Sequence, residues 1–424
     1  MSARRPLLAQ VLAASACVMT ASPALQASLA ARAPGVATAG PAAEPTASRP
    51  IAVVPFDLYD GRVFLRVHVD GEGPGDFQFD SAAGRSCVSQ RFASRIGLRA
   101  PLTATVRGAG DGQQTVPLAP GVSFTVGPLA YRSERVPLVD FDELDRFSGR
   151  HTDGLVGREF LARYVVAIDP TSRTLTAYEP KSFTYHGSGT AFPVEIAVGG
   201  PVLKALVRMP GRPPLGARIL LDAPHAGPVV LTTPFVDRHQ LLEPAQQLTP
   251  KLVAAGLMGV GGESAQLLGR ALALEIGPYA FASPVVFFSR AKAGTLAASE
   301  IDGLIGSQIL NRFRVFYDCP HGRVILEPGP RLAEPFPHDM SGLRLRAQTV
   351  ALESIEVVRV AEGSPAAAAG VEAGDLLLSI DGRPARPTEF PEVRARFEQA
   401  GPVRLELLRG AVKKAVTLEL RPRI

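Results

Sequence analysis

The sequence predicts a mainly β protein made of two similar halves followed by a small α+β module. Three observations predict it. Forty-one glycines and thirty-eight prolines make up about a fifth of the 424 residues, which excludes a helical bundle or coiled coil and favours short strands joined by turns. A seventeen-residue string occurs twice at a constant offset, and the last stretch of chain orders its strands and capped helices differently from either copy. With 46% hydrophobic residues, the chain is long enough to bury two or three cores.

Arg4 and Arg5 precede an apolar run from Pro6 to Met19, and small residues around Ser22, Ala24 and Ala27 follow. This pattern predicts an export signal over residues 1–27 and a periplasmic or secreted protein. The run is too short to cross ~30 Å of hydrocarbon, and no later run approaches the ~20 apolar residues needed, so no transmembrane helix is expected. A lipid anchor at Cys17 is the alternative, although the leucine usual three positions before it is replaced by Ala14. Residues 28–50 are mostly Ala, Pro, Gly, Ser and Thr and read as a flexible leader.

Only Cys87 and Cys319 follow the signal, which rules out a disulfide-rich scaffold and a Cys-based zinc site and leaves one bridge or two small buried hydrophobes. No metal and no cofactor is expected. The net charge of +5 comes from 45 basic and 40 acidic residues, the basic ones scattered, so no nucleic-acid partner is expected.

The first half, residues 51–182, opens on the alternating strand Val63 to Val69, turns at Gly71 to Gly75, and runs through Phe77-Gln78-Phe79 into Asp80. A Gly-rich segment with Gly108, Gly110 and Gly112 follows. Then Asp153-Gly154-Leu155-Val156-Gly157 leads through a short helical turn into a strand ending at Asp169. The second half, residues 190–329, repeats the order. Asp302 to Asp318 matches Asp153 to Asp169 at an offset of 149 with eight identities, where chance gives roughly one, and this reads as an internal duplication. Asp222 ends the apolar strand Ile219-Leu220-Leu221, and Gly259, Gly261 and Gly262 form the second Gly-rich segment. Both segments read as hairpins over a cleft or as surface loops.

In the module 340–424, Leu343 to Arg346 and Val357 to Val360 read as strands. Ser364-Pro365 caps a short alanine helix closed by Gly370. Leu376 to Ile380 is a strand, Asp381-Gly382 a hairpin turn, and Thr388 to Gln399 a helix with Phe390, Val393 and Phe397 on one face. Val403 to Leu408 and Ala415 to Leu420 close the module.

Asp80-Ser81 with Leu155-Val156-Gly157 resembles one retropepsin-type aspartic protease unit, and Asp222 with Leu304-Ile305-Gly306 resembles a second in tandem. The module resembles a PDZ domain, so residues 51–424 are similar to exported bacterial aspartyl-protease-family proteins with a C-terminal PDZ. The resemblance implies two pseudo-symmetric retropepsin- or pepsin-like β-barrel halves, with Asp80 and Asp222 catalytic and Ser81 supporting them. It further implies a peptide or protein substrate, and a peptide C-terminus held by Ser341, Gly342, Leu343 and Arg344, in the way PDZ loops hold a tail carboxylate.

Aspartic proteolysis needs two carboxylates sharing one proton, one activating water and the other protonating the scissile carbonyl. Both loops depart from the family's Asp-Thr/Ser-Gly. The first has Ala82 in place of Gly; the second has Ala223, without a hydroxyl, and Pro224, without an N–H. Hydrogen bonds to charged groups contribute about 1.5 to 3 kcal/mol each, so two losses cost roughly 3 to 6 kcal/mol. Borne wholly by the transition state, this lowers the rate about 10²- to 10⁴-fold. His225 reads either as a proton-active neighbour of Asp222 or as a solvent-facing turn residue. Two functional readings stand: an aspartic endopeptidase of reduced activity, and an inactive pseudo-protease that binds extended peptide. An adaptor acting through the PDZ module alone is a third.

Overall fold

The computed structural model describes residues 48–249 and 251–424; the expected export signal, Cys17 and the expected leader up to residue 47 lie outside them. The protein is mainly β, two pseudo-symmetric halves and a small α+β domain, and both aspartate strands end in the same setting.

In the first half, strand Glu72–Phe79 runs parallel to Gly154–Val156, with Phe77 opposite Gly154 and Phe79 opposite Val156. In the second, Leu215–Leu221 runs parallel to Gly303–Ile305, with Ile219 opposite Gly303 and Leu221 opposite Ile305. Each three-residue strand pairs antiparallel, on its other edge, with the strand that follows the aspartate loop, Cys87–Ser89 or Val229–Leu231. A strand flanked on both edges, with one face in the core and the other on the cavity that Leu155 and Leu304 line, is kept apolar, which is why these positions read Leu-Val and Leu-Ile.

The glycine after each pair is required by close approach. A Cβ on Gly157 would lie 2.7 Å from the Arg85 carbonyl oxygen, and one on Gly306 would lie 2.2 Å from that of His225. Each glycine seats the loop that follows an aspartate. Gly306→Ala is expected to destabilise the fold by about 1 to 3 kcal/mol, the cost of overpacking against backbone that cannot rotate away. Equal urea midpoints for variant and wild type would refute this.

A six-stranded sheet joins the halves through Val165–Asp169 and Phe313–Asp318. Val166 pairs with Tyr317, Ala167 with Phe316, and Ile168 with Val315. Under the offset of 149, Ala167 corresponds to Phe316, so the pairing maps onto itself and a pseudo-twofold axis passes between these two residues. One continuous hydrophobic core runs through both halves, from Leu65 and Phe77 to Phe288 and Tyr317.

The turn read at Gly71 to Gly75 is shorter than expected. Asp70 and Gly71 take left-handed φ of 49° and 87°, and the strand resumes at Glu72. Position 75, within it, is glycine because a Cβ there would meet the Phe92 ring at 2.6 Å. Cys87 and Cys319 are both free thiols, so the bridge does not form. No helix among the described residues is long and apolar enough to cross a membrane.

The C-terminal domain has its own core of Ile355, Val357, Phe390, Val393, Phe397 and Leu405 with neighbours. Ser364 caps the short helix Pro365–Ala368 by accepting from the Ala367 N–H at 3.2 Å. The long helix is Phe390–Phe397, shorter than the sequence suggested because Pro387 begins a 3₁₀ turn that precedes it. Strand Leu343–Ala347 forms one edge of the sheet.

Candidate active site

The parallel strand pairs bring both aspartates to matching positions: the Asp80 N–H donates to Val156 O at 3.0 Å and the Asp222 N–H to Ile305 O at 2.9 Å. Ser81, 1% exposed, ties one loop to the other. Its Oγ donates to Leu221 O at 2.7 Å and accepts from the Ala223 N–H at 3.1 Å. By symmetry the returning contact belongs to residue 223, where alanine has nothing to offer. One half of a reciprocal grip is present.

The two carboxylates are held unequally. Asp80 Oδ1 accepts from the N–H of Ala82 at 2.8 Å and of Ala83 at 2.9 Å, so alanine in place of glycine at 82 keeps its donor. At the equivalent positions on the second loop, Pro224 has no N–H, and the His225 N–H donates to the carbonyl oxygen of Asp222 at 3.1 Å. Burial raises the pKa of Asp80, and its two amide donors counter that rise. Burial raises Asp222 as well, and the neighbouring charge of Asp80 raises it further, against the opposing effects of the His225 amide and Arg62. Asp80 is therefore the member that ionises first, and Asp222 is the one that keeps a proton.

Raised carboxylate pKa values bear on stability with a definite sign. The folded chain holds protons that the unfolded chain releases, so this contribution is complete below the ordinary carboxylate range near 4 and is lost as pH rises through the raised values. Asp222→Asn removes the penalty. The variant is expected to melt higher than wild type at pH 8, with the gap closing towards pH 4; a pH-independent difference in Tm would contradict the assignment.

Arg62 is a component that the sequence did not disclose. Its side chain, only 19% exposed, donates through Nε to Pro224 O at 2.9 Å and pairs with Asp60 at 3.2 Å. Asp60 also pairs with Arg394 on the long helix of the C-terminal domain. A chain of alternating charges thus links that domain to the second aspartate loop. Arg62 opens an alternating strand and looks like an ordinary solvated position; its partner lies 162 residues away.

His225 fits neither expectation. Its ring is half-buried edge-on to Phe287, centroids 5.9 Å apart, and burial, then the charge of Arg62, lowers its pKa to about 3. It is neutral across the range in which the aspartates titrate and supplies no proton.

The Gly-rich segments are hairpin tips that meet over the site. The Gly110 N–H donates to Val260 O at 3.2 Å and the Gly112 N–H to Gly261 O at 2.8 Å. A Cβ on Gly110 would lie 2.5 Å from Gly262 O, so glycine lets the tips interlock. Gly108 packs against Val260, and Gly259 closes the turn of strands Val253–Gly259 and Gly262–Arg270. Beneath the tips lies a cavity of about 1270 Å³, lined by Asp80 and Asp222, by Gly108 and Met258 of the hairpins, and by Leu343 and Arg394 of the C-terminal domain.

The expected carboxylate-binding loop is already engaged. The Ser341 and Gly342 N–H groups donate to the Asp339 carboxylate at 3.3 and 2.8 Å, and the Leu343 N–H donates to Ser341 Oγ at 3.0 Å. Arg344, expected to attract a tail, instead bonds Gly256 O at 2.5 Å and Glu263 at 3.2 Å on the second hairpin. In this conformation the loop presents its donors to the protein itself.

Residues 65–160 match the family model described as aspartyl protease, and residues 356–421 that described as PDZ domain. No curated protein matches the chain. Similar solved structures include the aspartic proteinase from Irpex lacteus, 12% identical over 67% of this chain and 98% of that one with a TM-score of 0.43. Basic 7S globulin from soybean is 14% identical over 65% and 94%, TM-score 0.35. The HtrA3 PDZ domain bound to the phage-derived ligand FGRWV is 26% identical over 20% and 85%, TM-score 0.18.

Proposed function

We propose that this protein, which carries an aspartyl-protease segment and a PDZ domain, is an aspartic-type endopeptidase working through Asp80, Asp222 and a shared water. One observation carries the reading: Ser81 binds the two aspartate loops to each other, and both aspartates open on the roofed cavity. Ionised Asp80 takes a proton from the water as its oxygen adds to the scissile carbonyl, and Asp222 donates its proton to the carbonyl oxygen. Collapse of the tetrahedral adduct passes a proton to the departing nitrogen and restores the single shared proton.

The singly protonated pair defines the active window. Both limbs of the pH–rate profile are set by raised carboxylates, so kcat/KM on a peptide library is expected to peak above the ordinary carboxylate range near 4 and to fall on the alkaline side as Asp222 loses its proton. A profile that peaks near pH 3 and is flat above it would refute the assignment of roles.

The missing donors at Ala223 and Pro224 favour a second reading, a peptide-binding pseudo-protease. Absence of cleavage at every pH from 3 to 8, with retained binding of extended peptides in the cavity, decides for it. On either reading we take the two halves to descend from one duplicated unit and the protein to act after export, as its first 27 residues suggest.

A further inference from the structure

The groove of the PDZ domain, between edge strand Leu343–Ala347 and helix Phe390–Phe397, holds part of the first half. Helix Asp142–Ser148 packs on the edge strand. Arg146 donates to Ala347 O at 2.9 Å and to Gln348 O at 2.8 Å, at the far end of that strand. One residue on, the Phe147 ring lies under the Arg344 guanidinium at 4.6 Å, while the Phe147 carbonyl accepts from Arg394 on the helix at 2.6 Å. The two walls thus grip one residue, by its ring and by its backbone.

Next, Tyr59 OH bridges Ser148 O and Pro387 O, and Gly149 lies so close that a Cβ there would meet Pro387 O at 2.0 Å. At the opposite end, Asp339 and Ser341 occupy three N–H groups of the loop that a tail carboxylate would need. The carboxylate role is filled from within, and the segment in the groove is an internal one bearing an aromatic ring.

We propose that this groove is a docking site for an internal, aromatic-bearing polypeptide segment, read without a free C-terminal carboxylate, and that Arg146–Gly149 occupies it in cis. The arginine pair defines the ligand chemistry. Arg344 offers a cation to an aromatic face, and Arg394 offers N–H donors to the same residue's carbonyl. A competing segment in trans has to displace the first half's own, so its apparent affinity is reduced by the fraction of molecules in which the groove is open. Because Arg394 also pairs with Asp60, and Asp60 with Arg62, whose guanidinium donates to the Asp222 loop at Pro224 O, such a ligand would bind beside the charge chain that supports the second aspartate.

The test measures binding and is independent of hydrolysis. The full chain carrying Asp80→Asn, with and without Phe147→Ala, is titrated into a fluorescent peptide of this protein's residues 140–151, made with a C-terminal amide and with a free acid. Phe147→Ala is expected to bind about tenfold more tightly than its parent, as an opened groove should, with amide and acid equivalent. A marked loss of affinity on amidation would overturn the proposal, since the carboxylate would then be read. Equal binding by parent and variant, or none by either, would overturn it as well. If Phe147→Ala does not fold, amide exchange in residues 142–149 of the parent is followed instead. Saturating peptide should accelerate exchange there; unchanged protection would refute displacement.

Discussion

Ala223→Ser combined with Pro224→Gly is expected to raise kcat on a cleavable peptide about 30- to 2,000-fold above wild type. The estimate follows from the asymmetry of the two loops. Residues 80 to 83 correspond to 222 to 225, so a serine at 223 would stand to the Phe79 carbonyl as Ser81 stands to that of Leu221, 2.7 Å from Oγ. A glycine at 224 would return an N–H where Ala82 supplies one to Asp80 at 2.8 Å. The hydroxyl bond to a neutral carbonyl contributes about 0.5 to 1.5 kcal/mol and the amide bond to a carboxylate about 1.5 to 3 kcal/mol, which together yield that factor if the transition state gains both. The Arg62 contact is unaffected, because it ends on the carbonyl of residue 224. The two singles measured beside the double form a cycle that reports whether the grip and the amide act independently. A well-folded double variant no faster than wild type would show that these donors do not limit the reaction.

The opposite extreme is Asp80→Asn, for which peptide cleavage is expected to fall about 10²- to 10⁴-fold or more, the range associated with removing a general base. The amide keeps the shape of the side chain but cannot take a proton from water, and its NH₂ would face the Ala82 and Ala83 donors if oriented towards them. The Asp222 pKa should fall at the same time, since the neighbouring charge that raises it has gone. Near-infrared or fluorescence-quenched peptide assays at the pH optimum suffice. Residual turnover equal to wild type would locate any hydrolysis elsewhere in the molecule.

The legible parts of this protein were the local ones. The run Phe77-Gln78-Phe79 before Asp80, and Ile219-Leu220-Leu221 before Asp222, identified the strand ends that present an acid, because alternation and apolar runs report directly on which backbone is buried. The repeated Asp-Gly-Leu string revealed two equivalent frames for the same reason: a strand paired on both edges with one face in the core tolerates few residue types. The loss of an N–H at Pro224 was equally plain, being a property of one residue.

By itself, then, the sequence determined which strands end in Asp80 and Asp222 and the chemical inequality of the loops that follow them. Tertiary structure alone decided what surrounds them. Ser81 meets Leu221 across 140 positions, and Arg394 meets Asp60 across 334. It also neutralised His225, brought the two hairpin tips together, and set Asp339 and Phe147 where a ligand was expected. The reason is physical: local pattern records whether a side chain faces a core, while the partner of a buried charge or donor is whichever group the folded chain carries to it from afar.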